Sequence, residues 1–272
     1  MLTVNNVILD KLRKIFIKND FYNRYYKGSS LQKLYIQIFR RDLVAENKKI
    51  WQFNQSILEP NSLVFDIGAN VGYKANIYLK IGCQVIAVEP DPRNIKILKR
   101  LFKNNKKLTL VEKAVSSHIG VEKIYISQHS ALTTFSTKWK SFLETENDRG
   151  LPLFAVSQET YEIPTITIDA LINQFGIPKY IKIDVEGYEL EALQGLSYPI
   201  SLISFEANLP EFCEETINCI LQLSKIQNNA LFNYVVDDTK SFELENWLES
   251  REIIDFLKNT NLRYMEIYCK ME

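Results

Sequence analysis

The sequence predicts an α/β fold, in which helices pack on both faces of a mostly parallel sheet. Two short apolar runs, Leu63–Ile67 and Val85–Val88, are each too short for a helix and lie beside acidic residues. A loop with two glycines follows the first run, and Glu89, directly after the second run, stands 23 positions after Asp66. This spacing is typical of a strand, a tight turn, a helix and a second strand. The alternation of strands and helices continues to the C-terminus, which favours a doubly wound sheet.

Residues 1–60 differ in composition from the rest and are predicted to form an N-terminal helical lobe. They are rich in Lys, Arg, Asn and aromatic residues, and Leu31, Leu34 and Ile38 have helical spacing. We place the boundary at Pro60, because proline disfavours helix in the residue before it. Residues 61–272 then form the main domain. The lobe is expected to cover the sheet or the entrance to a ligand site, and it could also serve as an oligomer interface.

Hydrophobic periodicity and turn residues place the elements of the main domain. Asp91 and Pro92 provide a start signal for its second helix. The stretch 114–127 is predicted as a hairpin, and residues 128–162 as a long polar segment that is functional or mobile. Strands are expected near 63–67, 84–88, 108–112, 163–168, 180–184, 202–206, 232–236 and 264–268, and helices near 73–81, 92–104, 169–175, 188–195, 211–226 and 247–258.

Composition narrows the class of function. The chain has 33 basic and 33 acidic residues, so its formal net charge is zero and no basic surface for nucleic acid is expected. Its four cysteines form no C-x-x-C pair and only two histidines accompany them, which favours reduced thiols and no metal site. No apolar run approaches the roughly 20 residues that span a bilayer, and the N-terminus lacks a signal-peptide pattern. We therefore expect a cytoplasmic protein.

The loop after the first strand distinguishes between nucleoside-bearing cofactors. An acid at the end of the second strand can accept hydrogen bonds from ribose hydroxyls, and glycines let the backbone approach a ligand. In the dinucleotide fingerprint G-x-G-x-x-G, the later glycines make room for a pyrophosphate and for helix packing. Here Asn70 and Tyr73 stand at those positions, and Asp66 adds a negative charge that suits a cationic ligand. S-adenosylmethionine has a ribose, an amino group and no phosphate, so it is favoured over a nicotinamide or flavin dinucleotide.

Four motifs together resemble a known family. They are FDIGANVGY at 65–73, EPDPRN at 89–94, TITID at 165–169 and KIDVEGYE at 182–189. With them the chain resembles the FkbM family of class I S-adenosylmethionine-dependent methyltransferases over residues 63–210. The resemblance implies a Rossmann-like, seven-stranded sheet whose last strand is antiparallel. It also implies methyl transfer to a hydroxyl, typically on a sugar or a natural product, with adenine near residues 112–114.

Residues at the strand ends are the candidates for cofactor binding. Glu89 should accept both ribose hydroxyls, although such an acid could instead cap the helix that starts at Pro92. Asp66 and the glycine loop should hold the methionine moiety, although the loop glycines could serve only a turn. The full set of expected cofactor-binding residues is Asp66, Gly68, Asn70, Gly72, Glu89, Pro90, Ala114 and Asp184.

Asp184, Glu186 and His129 are the candidate catalytic residues. In an extended strand end, positions i and i+2 point the same way, so Asp184 and Glu186 could both face the cofactor cleft. Neighbouring acids raise one pKa, which suits a general base that takes a hydroxyl proton. In the alternative, Glu186 lies in a turn, or Glu186 or Glu189 caps the next helix. His129 lies in the long polar segment, where a histidine could act as base or simply face solvent.

Several functions fit these residues. The first is O-methylation of a hydroxyl on a saccharide or small secondary metabolite, with Glu206 placed to contact this acceptor. N-methylation needs much the same cleft. A dinucleotide-dependent oxidoreductase is disfavoured by Asn70 and Tyr73, and a non-catalytic partner protein of methyltransferase type is the last alternative. The aromatic residues Phe135, Trp139, Phe142 and Phe154 could line an acceptor pocket or pack on the sheet.

Overall fold

The computed structural model describes residues 41–127, 136, 138, 141, 156–236 and 241–271. Within these residues, strands and helices alternate through most of the chain. The strands are β1 (Leu63–Ile67), β2 (Gln84–Val88), β3 (Leu108–Val111), β4 (Ala114–Val115), β5 (Val121–Ser127), β6 (Val156–Ile166), β7 (Tyr180–Ile183), β8 (Leu202–Asn208), β9 (Leu231–Val235), β10 (Leu248–Glu249) and β11 (Tyr264–Lys270). The helices are α1 (Arg41–Ile57), α2 (Tyr73–Ile81), α3 (Pro92–Leu101), α4 (Ile168–Phe175), α5 (Glu189–Gln194), α6 (Cys213–Ile226) and α7 (Ser250–Asn259).

The main sheet has the strand order β10-β9-β11-β8-β7-β1-β2-β3. Strands β3, β2, β1, β7 and β8 are parallel, whereas β11 is antiparallel to both of its neighbours, β8 and β9. The predicted α/β class and the antiparallel last strand are therefore confirmed. The described part of this sheet has eight strands rather than the predicted seven, because the two-residue β10 pairs with the edge of β9.

Both faces of the main sheet are covered, as expected for parallel strands. Along β1 the side chains alternate: Val64 joins one buried layer, and Phe65 and Ile67 join the other. On the first of these faces, α1 contributes Phe53, whose ring packs edge-on against Tyr268 of β11 at 5.8 Å between centroids. The division of the chain at residue 60 into a lobe and a main domain stays a prediction.

The predicted hairpin at 114–127 is wrong. Strands β4 and β5 do not pair with each other; β6 lies between them, parallel to β4 and antiparallel to β5. The connection between them folds onto β6, because Thr165 donates its backbone N–H to Gly120 O and its hydroxyl to His118 O. Strand β6 begins at Val156, so the end of the segment predicted to be irregular is extended.

The helix start at Pro92 follows the predicted signal. The Asp91 side chain accepts a hydrogen bond from Arg93 N, and Pro92 occupies the first helical position, where its missing N–H has no consequence. In the described part of the chain, every helix is too short or too polar to cross a membrane.

Candidate functional site

A cavity of about 170 Å³ lies at the carboxyl ends of β1, β2, β7 and β8. This is the edge of a parallel sheet at which ligands bind in open α/β folds. Strand ends, the loop after β1 and the small second sheet all contribute to its walls. The lining residues are Ile67, Gly68, Asn70, Val88, Glu89, Pro90, Lys113, Ala114, Val115, Ile124, Asp184, Val185, Glu186, Tyr188 and Glu206.

Glu89 is a buried carboxylate in the wall of this cavity, only 4% exposed. Its Oε2 accepts from Asn70 N at 2.7 Å, and its Oε1 accepts from Asp91 N at 2.8 Å and Asn94 Nδ2 at 3.3 Å. Burial raises the pKa of Glu89 to about 7, and these hydrogen bonds oppose that rise. Asp91, and not Glu89, caps the helix that starts at Pro92. The carboxylate oxygens of Glu89 can therefore accept further hydrogen bonds from a ligand.

The loop after β1 contains two glycines, and each position requires a glycine for a different reason. Gly68 has φ +80°, and a Cβ there would lie 1.8 Å from the Asp184 carbonyl oxygen, so the loop touches the end of β7. Gly72 has φ +82°, and its Cβ would lie 2.7 Å from Leu98 and 2.5 Å from Phe102. Gly72 does not line the cavity. Its position is explained by packing against α3, whereas Gly68 lies in the cavity wall.

Asp66 lies behind the cavity and is 2% exposed. Burial raises its pKa to about 6, while the nearby cation Lys182 acts in the opposite direction. The cavity wall itself contains Asn70, Pro90 and Ala114 at the predicted places. Asp66 is not among the residues that line the cavity, and its predicted contact with the methionine moiety stays a prediction.

Asp184 and Glu186 both line the cavity, but not by the predicted extended geometry. Strand β7 ends at Ile183, and Glu186 has φ +53° in a turn that continues through Gly187 at φ +82°. Glu189 Oε1 closes this turn by accepting from Val185 N and Gly187 N, each at 3.2 Å. The turn considered as the alternative is present, and it still brings both acids to one cavity. A non-glycine residue at positive φ is uncommon outside functional sites and special turns.

Carboxyl groups crowd the ends of β7 and β8. Burial, followed by the charges of Glu206 and Asp184, raises the pKa of Glu186 well above its ordinary value. Burial and then the charge of Asp184 raise the pKa of Glu206 to about 8. Burial raises the pKa of Glu189 to about 7. Like charges in a shared, poorly hydrated space disfavour each other's ionised form, so this edge retains protons near neutral pH.

A second cavity, of about 280 Å³, adjoins the first. The two cavities have Tyr188 and Glu206 in common. Tyr188 donates its hydroxyl to Glu122 Oε2 at 2.5 Å, and Tyr264 donates its hydroxyl to Glu206 Oε1 at 2.9 Å. The second cavity is lined by Ser136, Lys138, Gly187, Tyr188, Glu189, Leu190, Glu191, Glu206, Asn208, Phe212, Glu215, Thr216 and Cys219.

Some predicted residues lie elsewhere, and some lining residues were not predicted. His129 and the four aromatic residues of the polar segment lie outside the described residues. Glu112 is half-exposed and pairs with Lys99 instead of lining the cavity. Tyr188 and Lys182 were missed. The sequence could have indicated the importance of Lys182, because a lysine between two apolar strand residues needs a buried partner.

The fold and the site define an α/β protein with an acid-lined cavity at the switch in strand order, where sheets of this kind bind ligands. Residues 66–259 match the family described as Methyltransferase FkbM domain, so the chain belongs to the FkbM methyltransferases. Methyltransferases of this family use S-adenosylmethionine, which confirms the predicted cofactor. No protein of curated function has a matching sequence.

Solved structures with a similar fold include several methyltransferases. A TehB-like S-adenosylmethionine-dependent methyltransferase from Corynebacterium glutamicum is 10% identical, with a TM-score of 0.44, over 88% of this chain and 97% of that chain. Precorrin-6y C5,15-methyltransferase from Geobacter metallireducens is 10% identical, with a TM-score of 0.44, over 82% and 87%. Aeropyrum pernix fibrillarin with bound S-adenosyl-L-methionine is 10% identical, with a TM-score of 0.38, over 84% and 74%.

The chemistry of the first cavity fits S-adenosylmethionine. Its wall has four carboxyl groups and one cation, Lys113, which suits a sulfonium and an ammonium but not a pyrophosphate. Asn70 Oδ1 and Asp66 Oδ2 are buried and have no hydrogen-bond partner among the described residues. The residues present therefore fit the cofactor of the family. Among the described residues no group of three or more His, Cys, Asp or Glu side chains has the arrangement of a metal site.

Proposed function

We propose that this methyltransferase acts on a hydroxyl group of a saccharide or another small acceptor. The observation that carries the proposal is the pair of adjoining cavities with Tyr188 and Glu206 in their common wall. The first cavity would hold the methyl donor and the second the acceptor. The reacting groups would then meet at Glu206, beside Glu186.

The donor side follows from the residues that line the first cavity. S-adenosylmethionine supplies a methyl group on a positively charged sulfur. Glu89 would accept hydrogen bonds from the ribose hydroxyls, with its carboxylate already oriented by three N–H donors. Asp184 would pair with the amino group of the methionine moiety, and the backbone at Gly68 would lie against it. Adenine would lie near Pro90 and Ala114.

The acceptor side requires a base. A hydroxyl that attacks a methyl group loses its proton as the new C–O bond forms, and positioning in line with the leaving group supplies much of the rate. Glu186 is the proposed base, and Glu206 beside it would share the proton. Burial and the neighbouring carboxyl groups raise the pKa of Glu186 above its ordinary value. A carboxylate with a raised pKa attracts a proton more strongly, which suits a general base.

N-methylation is the second candidate. Four glutamates line the second cavity, Glu189, Glu191, Glu206 and Glu215, and such a lining would also attract an amine. The same base would then remove the proton from an ammonium acceptor. Saccharides remain the first choice, since carboxylates accept hydrogen bonds from hydroxyl groups equally well.

Calorimetric titration with S-adenosylhomocysteine, and separately with NAD⁺, tests the donor cavity. We expect binding of the first ligand only. Transfer of a labelled methyl group to a panel of saccharides, other small alcohols and amines then identifies the acceptor class. Binding of NAD⁺ alone, or transfer restricted to amines, would contradict the proposed reaction. A protein that binds the donor analogue and methylates nothing in any partner complex would point to a non-catalytic role.

The Glu186→Gln variant tests the base. We expect labelled transfer to a hydroxyl to fall by about 100-fold or more, while the Kd for S-adenosylhomocysteine changes by less than about threefold. Glu112→Gln, at an exposed acid that directly follows the edge strand β3, is the matched control and should retain both values. Unchanged transfer in Glu186→Gln would remove Glu186 from the mechanism.

A further inference from the structure

Lys182 is a cation buried in the centre of the main sheet, directly below the first cavity. It lies in β7 between Ile181 and Ile183, and is 3% exposed. Its register partners are Asp66 on β1 and Ser204 on β8. A lysine at such a position is costly unless its ammonium is paired, so its partners indicate what it does.

The ammonium group of Lys182 contacts the carboxylate that lines the donor cavity. Lys182 Nζ lies 2.7 Å from Asp184 Oδ2, within one hydrogen bond. The Asp184 side chain is 30% exposed whereas that of Lys182 is 4% exposed, so the pair spans the boundary between cavity and core. An ammonium group has three N–H donors. One of them is used for Asp184, and two are left for other groups.

Two further acids act on the same lysine from the next two strands of the sheet, β8 and β11. Glu266 on β11 and Glu206 on β8 are directly opposite each other in the strand register. The charges of Asp184, Glu266 and Glu206 together keep the pKa of Lys182 well above its ordinary value, against the effect of burial. Glu266 is itself fixed, because Ser204 Oγ donates to its Oε1 at 2.5 Å and lies 2.6 Å from the Tyr180 hydroxyl oxygen.

These contacts fix the side chain of Lys182, whereas the backbone around Asp184 leaves more than one orientation open to the Asp184 side chain. Asp184 follows the last residue of β7 and precedes a turn with two residues at positive φ, so its backbone alone does not select one side-chain rotamer. The lysine stem is packed inside the sheet and has already lost its rotamer freedom on folding. A carboxylate held by this ammonium therefore reaches the cavity in one orientation.

We propose that Lys182 is a positioning residue that orients the Asp184 carboxylate for the methyl donor. This role rests on the proposed function, in which Asp184 pairs with the donor's amino group. The competing explanation is purely structural: Lys182 would only neutralise buried acids, and Asp184 would be free to find its own orientation. The two explanations differ in whether ligand affinity and thermal stability change together.

Calorimetric titration with S-adenosylhomocysteine distinguishes them, on Lys182→Met, Asp184→Asn and the double variant. We expect each single variant to weaken binding by about 10-fold, and the double variant to bind no more weakly than the weaker single variant. Lys179→Met, the same substitution at an exposed position just before β7, should bind as the wild type does. Wild-type affinity in Lys182→Met with a lowered Tm, or additive losses in the double variant, would overturn the positioning role.

Removal of a buried cation alone could prevent folding, so a charge-balanced variant completes the test. Lys182→Met combined with Glu266→Gln removes one positive and one negative group and leaves Asp184 without its anchor. We expect the same loss of about 10-fold, with Glu266→Gln alone retaining wild-type affinity. Retained affinity in the combined variant would overturn the proposal. If the wild type itself fails to bind S-adenosylhomocysteine, the donor site and not the role of Lys182 is in error.

Discussion

The two strand ends beside β1 carry acids in opposite surroundings. At the end of β2, Glu89 faces neutral N–H donors, with Asn70 N and Asp91 N within 2.8 Å. At the ends of β7 and β8, the acids Glu186 and Glu206 face each other and other carboxyl groups. Lys182 is the only lysine or arginine among the principal influences on these two pKa values.

The orientation of Glu89 is therefore fixed before a ligand binds, whereas the protonation of Glu186 and Glu206 can change when one binds. The N–H donors around Glu89 do not titrate, so they hold its side chain in one orientation before any ligand arrives, even though the pKa of Glu89 itself is raised to about 7. Crowded carboxyl groups at the other edge exchange protons readily, and a cationic ligand would alter how many they retain. The first arrangement suits recognition of a constant group such as a ribose, and the second suits a group from which a proton is removed.

Removal of the preformed acid should have the largest effect on binding. We expect Glu89→Ala to weaken S-adenosylhomocysteine binding by about 100-fold, because two hydrogen bonds to a charged group are lost together. The measurement is calorimetric titration, with far-UV circular dichroism to verify folding. Glu112→Ala, at the exposed end of β3, provides the comparison and should bind normally. Similar affinities in both variants would mean that Glu89 serves only its own loop.

The carboxyl groups at the ends of β7 and β8 should make the free energy of unfolding depend on pH. Since the pKa of Glu206 is raised to about 8, the folded protein keeps a proton that the unfolded chain releases above about pH 4.5. Its contribution to the free energy of unfolding is therefore fully present at low pH and is lost as the pH rises through 8. We expect the wild type to lose about 1–3 kcal/mol more than Glu206→Gln between pH 5 and pH 8.

Chemical denaturation at each pH measures this difference. Glu112→Gln is a suitable control, because Glu112 is half-exposed and its substitution should leave the pH profile of the wild type unchanged. Parallel profiles for the wild type and Glu206→Gln would contradict the raised pKa. The same result would weaken the contrast between the two strand ends.

A change in packing near the preformed site should have the smallest effect on binding. Gly72→Ala introduces a Cβ 2.5 Å from Phe102 at a left-handed backbone position, so we expect a loss of about 1–3 kcal/mol in the free energy of unfolding. Binding of S-adenosylhomocysteine by the folded variant should change by less than about threefold, because Gly72 does not line the cavity.

Gly120→Ala is the matched control for that substitution. Its Cβ would lie 3.2 Å from the exposed His118 side chain and 3.9 Å from Thr165 Oγ1, and its backbone is not left-handed. We expect a change below about 0.5 kcal/mol, measured by urea denaturation. A larger loss of donor affinity in Gly72→Ala than in Glu89→Ala would reverse the order of the two effects and assign the glycine to the ligand.

Local patterns predicted the strands and helices around the first half of the cavity. Strand β1, helix α2, strand β2 and the start of α3 follow from short apolar runs, glycines and the Asp91-Pro92 signal, all within a few residues of each other. The family resemblance joined these motifs to the one at 182–189, which explains why the cofactor could be predicted. Glu89 lies in the cavity wall because its strand dictates where its side chain emerges.

Features that depend on distant residues could not be predicted in the same way. The path of β6 between β4 and β5 is decided by pairing across about 40 residues, and the local pattern at 114–127 resembles a hairpin. The turn at Glu186 depends on Glu189 closing it. A packing reason for Gly72, its approach to Leu98 of α3 and to Phe102 just after that helix, was likewise invisible in the local sequence.

The contact between Gly68 and the Asp184 carbonyl oxygen has a genetic consequence. Any side chain at residue 68 would push the loop after β1 away from the end of β7, where Asp184 N donates to Ile67 O at 3.0 Å. We therefore expect the codon for Gly68 to accept only synonymous change, because the positive φ and the close carbonyl oxygen both disfavour any other residue. The contact between the loop after β1 and the end of β7 thus depends on one glycine codon.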